Sequence, residues 1–182
     1  MKRSDFLKIL PAAAAATSVL AQGGKKKPLV VYYSWSGNTR SVAEFIRGFA
    51  NADILEVLPE EPYPASYRST VEIAKKENAA EFKRPIKTKI EKLADYDAVF
   101  VGSPNWWGTI SGPIRTLLCG HDFSSKKIIP FMTHEGSRFG YSLSEIKKIC
   151  PKAELLQGFE TRGGSAKNSA DSIKKWLSTL SI

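Results

Sequence analysis

Residues 29–41 read LVVYYSWSGNTRS, and the change of character inside this stretch decides how the rest of the chain is read. Leu29 to Tyr33 is a short continuous apolar run rich in β-branched and aromatic residues, the pattern of a strand buried on both faces. Five short polar side chains, Ser34, Ser36, Asn38, Thr39 and Ser41, then crowd around Gly37. Val42, Phe45, Ile46 and Phe49 follow at helical spacing, so the first unit is strand, polar loop, helix. A helix start offers unpaired N–H groups and a positive dipole end, and hydroxyls around a glycine add donors for an oxygen-rich anion. Ser, Thr and Asn are also favoured helix caps, so a cap with spare serines is the other reading of this loop alone. It is neither a Walker loop nor G-x-G-x-x-G, which disfavours ATP and simple dinucleotide sites.

Outward from this unit the alternation continues. Ile54 to Leu58 predicts a second strand, followed by the Pro- and Tyr-rich connection PEEPYPASYRS and a charged helix running to about Phe82, closed by Pro85. Ala98 to Gly102 is a buried strand that runs into SPNWWGTISGP before a helix holding Ile114, Leu117 and Leu118. Ile128 to Met132 forms the next strand and ends in THEGS. Ser142 and Glu145 are spaced as a capping box for a helix with Leu143, Ile146 and Ile149 on one face and Pro151 as its stop. Leu155 to Phe159 is a fifth, more polar strand suited to an edge, and Ile173, Trp176, Leu177 and Leu180 stripe the last helix. Five strands alternating with five helices make an α/β chain with an open, doubly wound, mostly parallel sheet covered on both faces. Ligands of such sheets sit beyond the carboxyl ends of the strands, which singles out SWSGNT, SPNWWG and THEGS.

The chain has 182 residues, 42% hydrophobic, enough for one substantial core. Residues 1–24 stand apart from it: Lys2, Arg3 and Lys8 flank an apolar stretch with a small-residue ending, the form of a secretory signal peptide, too short for a membrane span. KRSDFLK is similar to the twin-arginine export pattern, with Ser4 where the second arginine would stand; a cytoplasmic tail is the other reading. Residues 25–28 form a basic linker and the folded domain is expected over 29–182. The formal charge is +9, with lysines spread along the chain and no nucleic-acid motif, so acidic partners or anionic ligands are favoured over nucleic acid. Cys119 and Cys150 are the only cysteines and lie outside any CxxC pair, which argues against zinc; sequence leaves open whether they pair.

The second loop, with Trp106 and Trp107 at a strand end, offers stacking surfaces for a flat aromatic ligand, and Gly108 lets backbone approach its edge. With these residues in view, SWSGNT resembles the phosphate loop of flavodoxins, SPNWWGT their tryptophan loop, and THEGSRFG the third flavin loop of one flavodoxin-like branch, over about residues 29–180. The resemblance implies a five-stranded parallel sheet of order 2-1-3-4-5, in the short form of the fold, and FMN as cofactor. On this reading Ser34, Ser36, Gly37, Asn38 and Thr39, with Trp35 among them, hold the phosphate. Pro104, Asn105, Trp106, Trp107 and Gly108 flank the ring, Trp107 stacks on it, and the Trp107 to Thr109 backbone lies near N5. Thr133, Glu135, Gly136 and Ser137 close the pyrimidine side.

The resemblance further implies an electron carrier handing electrons to redox partners or a small acceptor. An NAD(P)H-dependent quinone or azo reductase on the same fold is the alternative, with Tyr63 and Tyr67 roofing its pocket. A binding module that lost the flavin is a third reading; a response regulator is disfavoured because no acidic pair follows the first strand. The basic charge, Arg40 included, suggests a potential less negative than that of an acidic relative. His134 and Glu135 are polar residues of a loop, with no catalytic role assigned, and Arg162-Gly163-Gly164 reads as a turn, with anion binding as its minor alternative.

Overall fold

The computed structural model describes residues 27–182. The signal peptide read over residues 1–24 lies outside the described residues, as do the first two linker lysines. Lys27 and Pro28 already belong to the sheet's surroundings: the Lys27 ammonium meets Asp53 at 2.5 Å and the Pro28 carbonyl accepts from the Asp53 N–H.

The elements run β1 (Leu29–Tyr32), α1 (Asn38–Ala50), β2 (Asp53–Glu56), α2 (Tyr67–Ala79), β3 (Ala98–Pro104), α3 (Gly112–Cys119), β4 (Lys127–His134), α4 (Ser142–Ile149), β5 (Glu154–Leu155), β6 (Phe159–Arg162) and α5 (Ala170–Leu177). All strand pairs are parallel and the order is β2-β1-β3-β4-β5, with β6 also on β4. The strand order reverses between β1 and β3, so their two following loops diverge and leave a crevice.

Successive strand residues point to opposite faces, and the two faces gather separate cores. Val30, Tyr32, Phe100, Ile129 and Phe131 meet Val42, Ala43 and Ile46 of α1 and Ile173 and Trp176 of α5. Leu29, Val31, Val99, Val101, Ile128 and Met132 meet Ile114, Leu117 and Leu118 of α3 and Ile146 of α4. The expected stripe of α1 is narrower than its sequence suggests: Phe49 is 47% exposed and stacks on Phe45 instead of entering the core. The α2 helix ends at Ala79, short of Phe82.

The expected fifth strand is split. Between the β4 pairs Ile128↔Leu155 and Phe131↔Phe159, two residues of β4 face three of the edge chain, a bulge centred on Leu156 to Gly158. Pro130 has no N–H to give the edge at this point, and Gly158 comes close to it: a Cβ there would stand 2.7 Å from the Pro130 carbonyl oxygen. The Gln157 carbonyl, displaced from the ladder, accepts from the Trp176 indole N–H at 3.1 Å.

The capping box at α4 does not form. Ser142 is the first helical residue, its hydroxyl is buried without a partner among the described residues, and Tyr141 in the cap position makes no side-chain bond. The Glu145 carboxylate turns instead to Arg115 and Thr109, while the buried Ser142 N–H that a capping box would offer it is donated to the Phe139 carbonyl; the charge-assisted bond to a buried guanidinium is the stronger one. Both cysteines are free thiols; Cys150 is buried, which pushes its thiol up to about 11, while Cys119 is exposed.

Candidate functional site

The loops after β1, β3 and β4 and one face of α2 enclose a cavity of about 610 Å³. Its two ends differ in chemistry. At the polar end, Gly37 takes φ +89° in the N-cap position of α1, a conformation that favours glycine, and no side chain caps the helix. The first-turn amides of Asn38, Thr39 and Arg40 therefore have no acceptor among the described residues. Ser36 and Asn38 line this end, and so does Gly163 at the foot of β6. A Cβ on Gly163 would stand 2.5 Å from the Asn38 amide nitrogen and 2.6 Å from a Glu135 oxygen, so this glycine keeps the floor open.

Two hydroxyls expected to face a phosphate stand one layer behind it. Ser34 accepts from the Gly37 N–H at 3.1 Å and shapes the loop. Thr39, fully buried, shares a 2.8 Å hydrogen bond with Thr133 and so ties the first loop to the end of β4. Arg40 pairs with Glu56 at 2.6 Å and is not among the residues that line the cavity.

The other end is aromatic. Trp106 and Thr109 exchange both backbone hydrogen bonds across a tight turn, whose central residues Trp107 and Gly108 take φ +54° and +88°. Two positive φ values in succession are those of a type I′ turn, natural for Asn-Gly and costly for a bulky residue such as tryptophan. Trp106 is half-buried, with its ring edge-on to Tyr33 and Tyr63 at centroid distances of 5.7 and 4.9 Å. Trp107 is 52% exposed; its indole N–H donates to the Val71 carbonyl at 3.0 Å and Lys75 sits over its ring. Both rings line the cavity, Trp106 as a fixed wall and Trp107 as an outer cover.

Behind the wall, Tyr63 donates to Glu77, which pairs with Arg84, and the Arg84 guanidinium lies 3.9 Å from the Tyr63 ring centre. Burial raises the phenols of both Tyr33 and Tyr63 well above the usual tyrosine value, so they stay neutral. Tyr63 is thus part of the core and does not roof the cavity, whereas Tyr67 does reach its mouth, tilted against Trp35. Thr109 also lies outside the cavity lining, its hydroxyl donated to Glu145.

The third loop is held by His134. Its Nδ1 accepts from the Gly136 N–H at 2.9 Å, which leaves the proton on Nε2, and Nε2 donates to Glu160. Arg138 joins the same carboxylate at 2.9 Å. Both ring nitrogens are engaged, so His134 shapes the loop and holds no free proton for a ligand. Asn105 completes the site: its amide nitrogen donates to the Arg138 carbonyl, while its Oδ1 is buried without a partner among the described residues. An orphaned acceptor on the wall of a cavity fits a ligand that brings an N–H.

The sequence reading missed the α2 wall, Thr70, Val71 and Ala74 beside Tyr67, and also His134, and it held Gly163 mainly as part of a turn. Thr70, Val71 and Ala74 sit mid-helix at the spacing of an ordinary packed face, so no local signal marked them.

An open parallel sheet of order 2-1-3-4-5 with its cavity at the switch point defines a doubly wound α/β protein of flavodoxin type. The family model described as flavodoxin matches residues 27–180, and the chain belongs to that family. It is similar to a protein of Bacteroides eggerthii assigned as a flavoprotein, at 29% identity over 87% of this chain and 99% of that one, with TM-score 0.73. A flavoprotein of Lactobacillus acidophilus solved in complex with FMN shares 25% identity over 81% of this chain and 97% of that one, with TM-score 0.63. A protein of Bacteroides uniformis at 24% identity, covering 85% of this chain and 99% of that one, has the same fold with TM-score 0.74.

Proposed function

We propose that the protein binds FMN non-covalently in this cavity and passes electrons between redox partners outside the cytoplasmic membrane. The observation that carries the reading is the pairing of unlike ends in one cavity: open helix amides around Gly37 for a phosphate, and the Trp106 and Trp107 rings for a flat aromatic system. Asn105 Oδ1 adds an acceptor suited to the imide N–H of a flavin. Bound there, FMN supplies the one- and two-electron redox chemistry, and the protein sets its position, potential and access.

The residues divide the work. The start of α1 at Gly37, with Ser36 and Asn38 on the cavity lining, places the phosphate; Trp106 fixes one face of the ring site; Trp107 limits solvent from outside. The net positive charge, which persists without residues 1–24, favours an anionic reduced state, and hence a less negative potential than an acidic relative has. Tyr67 at the mouth, over the apolar Val71 and Ala74, keeps a quinone or azo reductase as the second reading. Export rests on residues 1–24, and the mass of the mature N-terminus from a periplasmic fraction tests it.

The functional test uses FMN-loaded protein. A carrier is reduced by dithionite, returns its electrons to a one-electron acceptor such as ferricyanide, and stays oxidised with NAD(P)H alone. Sustained NAD(P)H consumption with a quinone would replace the carrier by the reductase, and failure to retain FMN would overturn both.

A further inference from the structure

The turn that carries the two tryptophans is gripped from below by side chains of three helices. Asn78 of α2 donates through its amide nitrogen to the Trp106 carbonyl at 2.6 Å. Arg115 of α3, its side chain 4% exposed, donates to Asn78 Oδ1 at 2.9 Å and to Glu145 of α4 at 2.5 Å. The other Glu145 oxygen accepts from the Thr109 hydroxyl, and the Tyr141 N–H reaches the Gly108 carbonyl at 2.5 Å. The turn's carbonyls at 106, 108 and 109 are thereby committed. What remains without a partner among the described residues is the Trp107 N–H and carbonyl and the Gly108 N–H, the backbone groups at the tip.

A tryptophan in the left-handed region persists only where its surroundings over-determine it. A buried arginine is tolerated only when its partners are satisfied, and all of Arg115's partners serve the two ends of this turn or the Phe82 carbonyl. We infer that Asn78, Arg115 and Glu145 are positioning residues that hold the 106–109 turn with its tip groups presented to the flavin ring, and so set ring affinity and redox potential. This rests on the FMN reading of the cavity. It assigns a role to a buried charge network that lies outside the cavity, apart from the residues that line it.

The test compares Asn78→Ala, Glu145→Gln and the control Glu44→Gln, which removes an equal charge from an exposed pair with Arg47 on α1. FMN and riboflavin affinity, midpoint potential and hydrogen exchange of the Thr109 amide are measured. Asn78→Ala is expected to weaken FMN and riboflavin by the same factor, about tenfold, leaving their ratio unchanged, and to speed Thr109 exchange. Glu145→Gln leaves the Arg115 charge unbalanced behind the 106–109 turn and is expected to shift the potential to less negative values, while Glu44→Gln does not. Wild-type flavin affinities and potential in both variants, even with a lowered Tm, would overturn the inference alone and leave a structural network. Absence of FMN binding by the wild-type protein would overturn the FMN reading and the inference with it.

Discussion

The two ends of the cavity are built by different means. The polar end is made of backbone: a left-handed glycine, the open amides of one helix turn, and a second glycine on the floor. The aromatic end is made of side chains held by other side chains, with Trp106 wedged against Tyr33 and Tyr63 and its turn tied to a buried arginine. A backbone site is local and is lost when one φ value becomes inaccessible. A side-chain site is distributed, and it responds to changes on helices far away in sequence.

The largest effect is expected at the distributed end. Trp106→Ala removes the ring wedged between two tyrosines and should cost about 2–3 kcal/mol of stability, at the low end for large-to-small changes because Trp106 is half-buried. FMN and riboflavin binding should fall together by about a hundredfold, read by fluorescence quenching. Loss of FMN affinity alone would break the comparison, because the aromatic end would then be sensing the phosphate.

Gly37→Val should do the opposite. No atom crowds the glycine, so the penalty is the positive φ itself, about 1–2 kcal/mol for a branched residue. FMN affinity should fall about tenfold with riboflavin unchanged. Equal losses would show that the loop supports the ring and not the phosphate.

Trp107→Asn sharpens the contrast within one turn. Asn-Gly suits the two positive φ values that Trp107 and Gly108 adopt, so the flavin-free protein should keep or gain up to about 1 kcal/mol. Flavin affinity should fall a few-fold as the outer cover is lost. A clear drop in flavin-free Tm would mean that the Val71 and Lys75 contacts outweigh the backbone strain.

The smallest effects are those of pH. A phosphate loses its second charge near pH 6, so FMN affinity should decline below about that value while riboflavin affinity stays level. At the aromatic end, burial raises the Tyr33 and Tyr63 phenols above the ordinary value of 10.0. Their contribution to stability is therefore complete below pH 10.0 and is lost as pH rises through the folded values, with the unfolded chain ionising first. Denaturant midpoints measured from pH 8 to about 11 should hold level at first and decline above about pH 10, and Tyr63→Phe should flatten the decline.

The backbone end was the legible one. LVVYYSWSGNTRS contains the strand, the glycine and the helix start in one stretch, and a parallel sheet follows from repeating that unit, while the strand order is what the flavodoxin resemblance implies. Even there, sequence could not say which hydroxyls face the ligand: Thr39 sits in the first helical turn, where the helix rotation turns it toward Thr133 and the core. The side-chain end was half legible. Two tryptophans at a strand end marked it, but Asn78, Arg115 and Glu145 stand on three separate helices and meet only in the folded sheet. Glu145 illustrates the failure well, because its spacing from Ser142 satisfies a local cap rule that a buried arginine overrides. The split edge strand was hidden for a related reason, since Pro130 acts on residues 156–158 across the ladder and not along the chain.

The central claim is that one cavity joins a phosphate end to a ring end, and equilibrium titration of the folded domain with FMN and with riboflavin tests it most directly. The account predicts strong quenching and tight binding of FMN, with riboflavin bound much more weakly. Equal affinity for the two would contradict the phosphate end, and no binding of either by a folded protein would contradict the site as a whole.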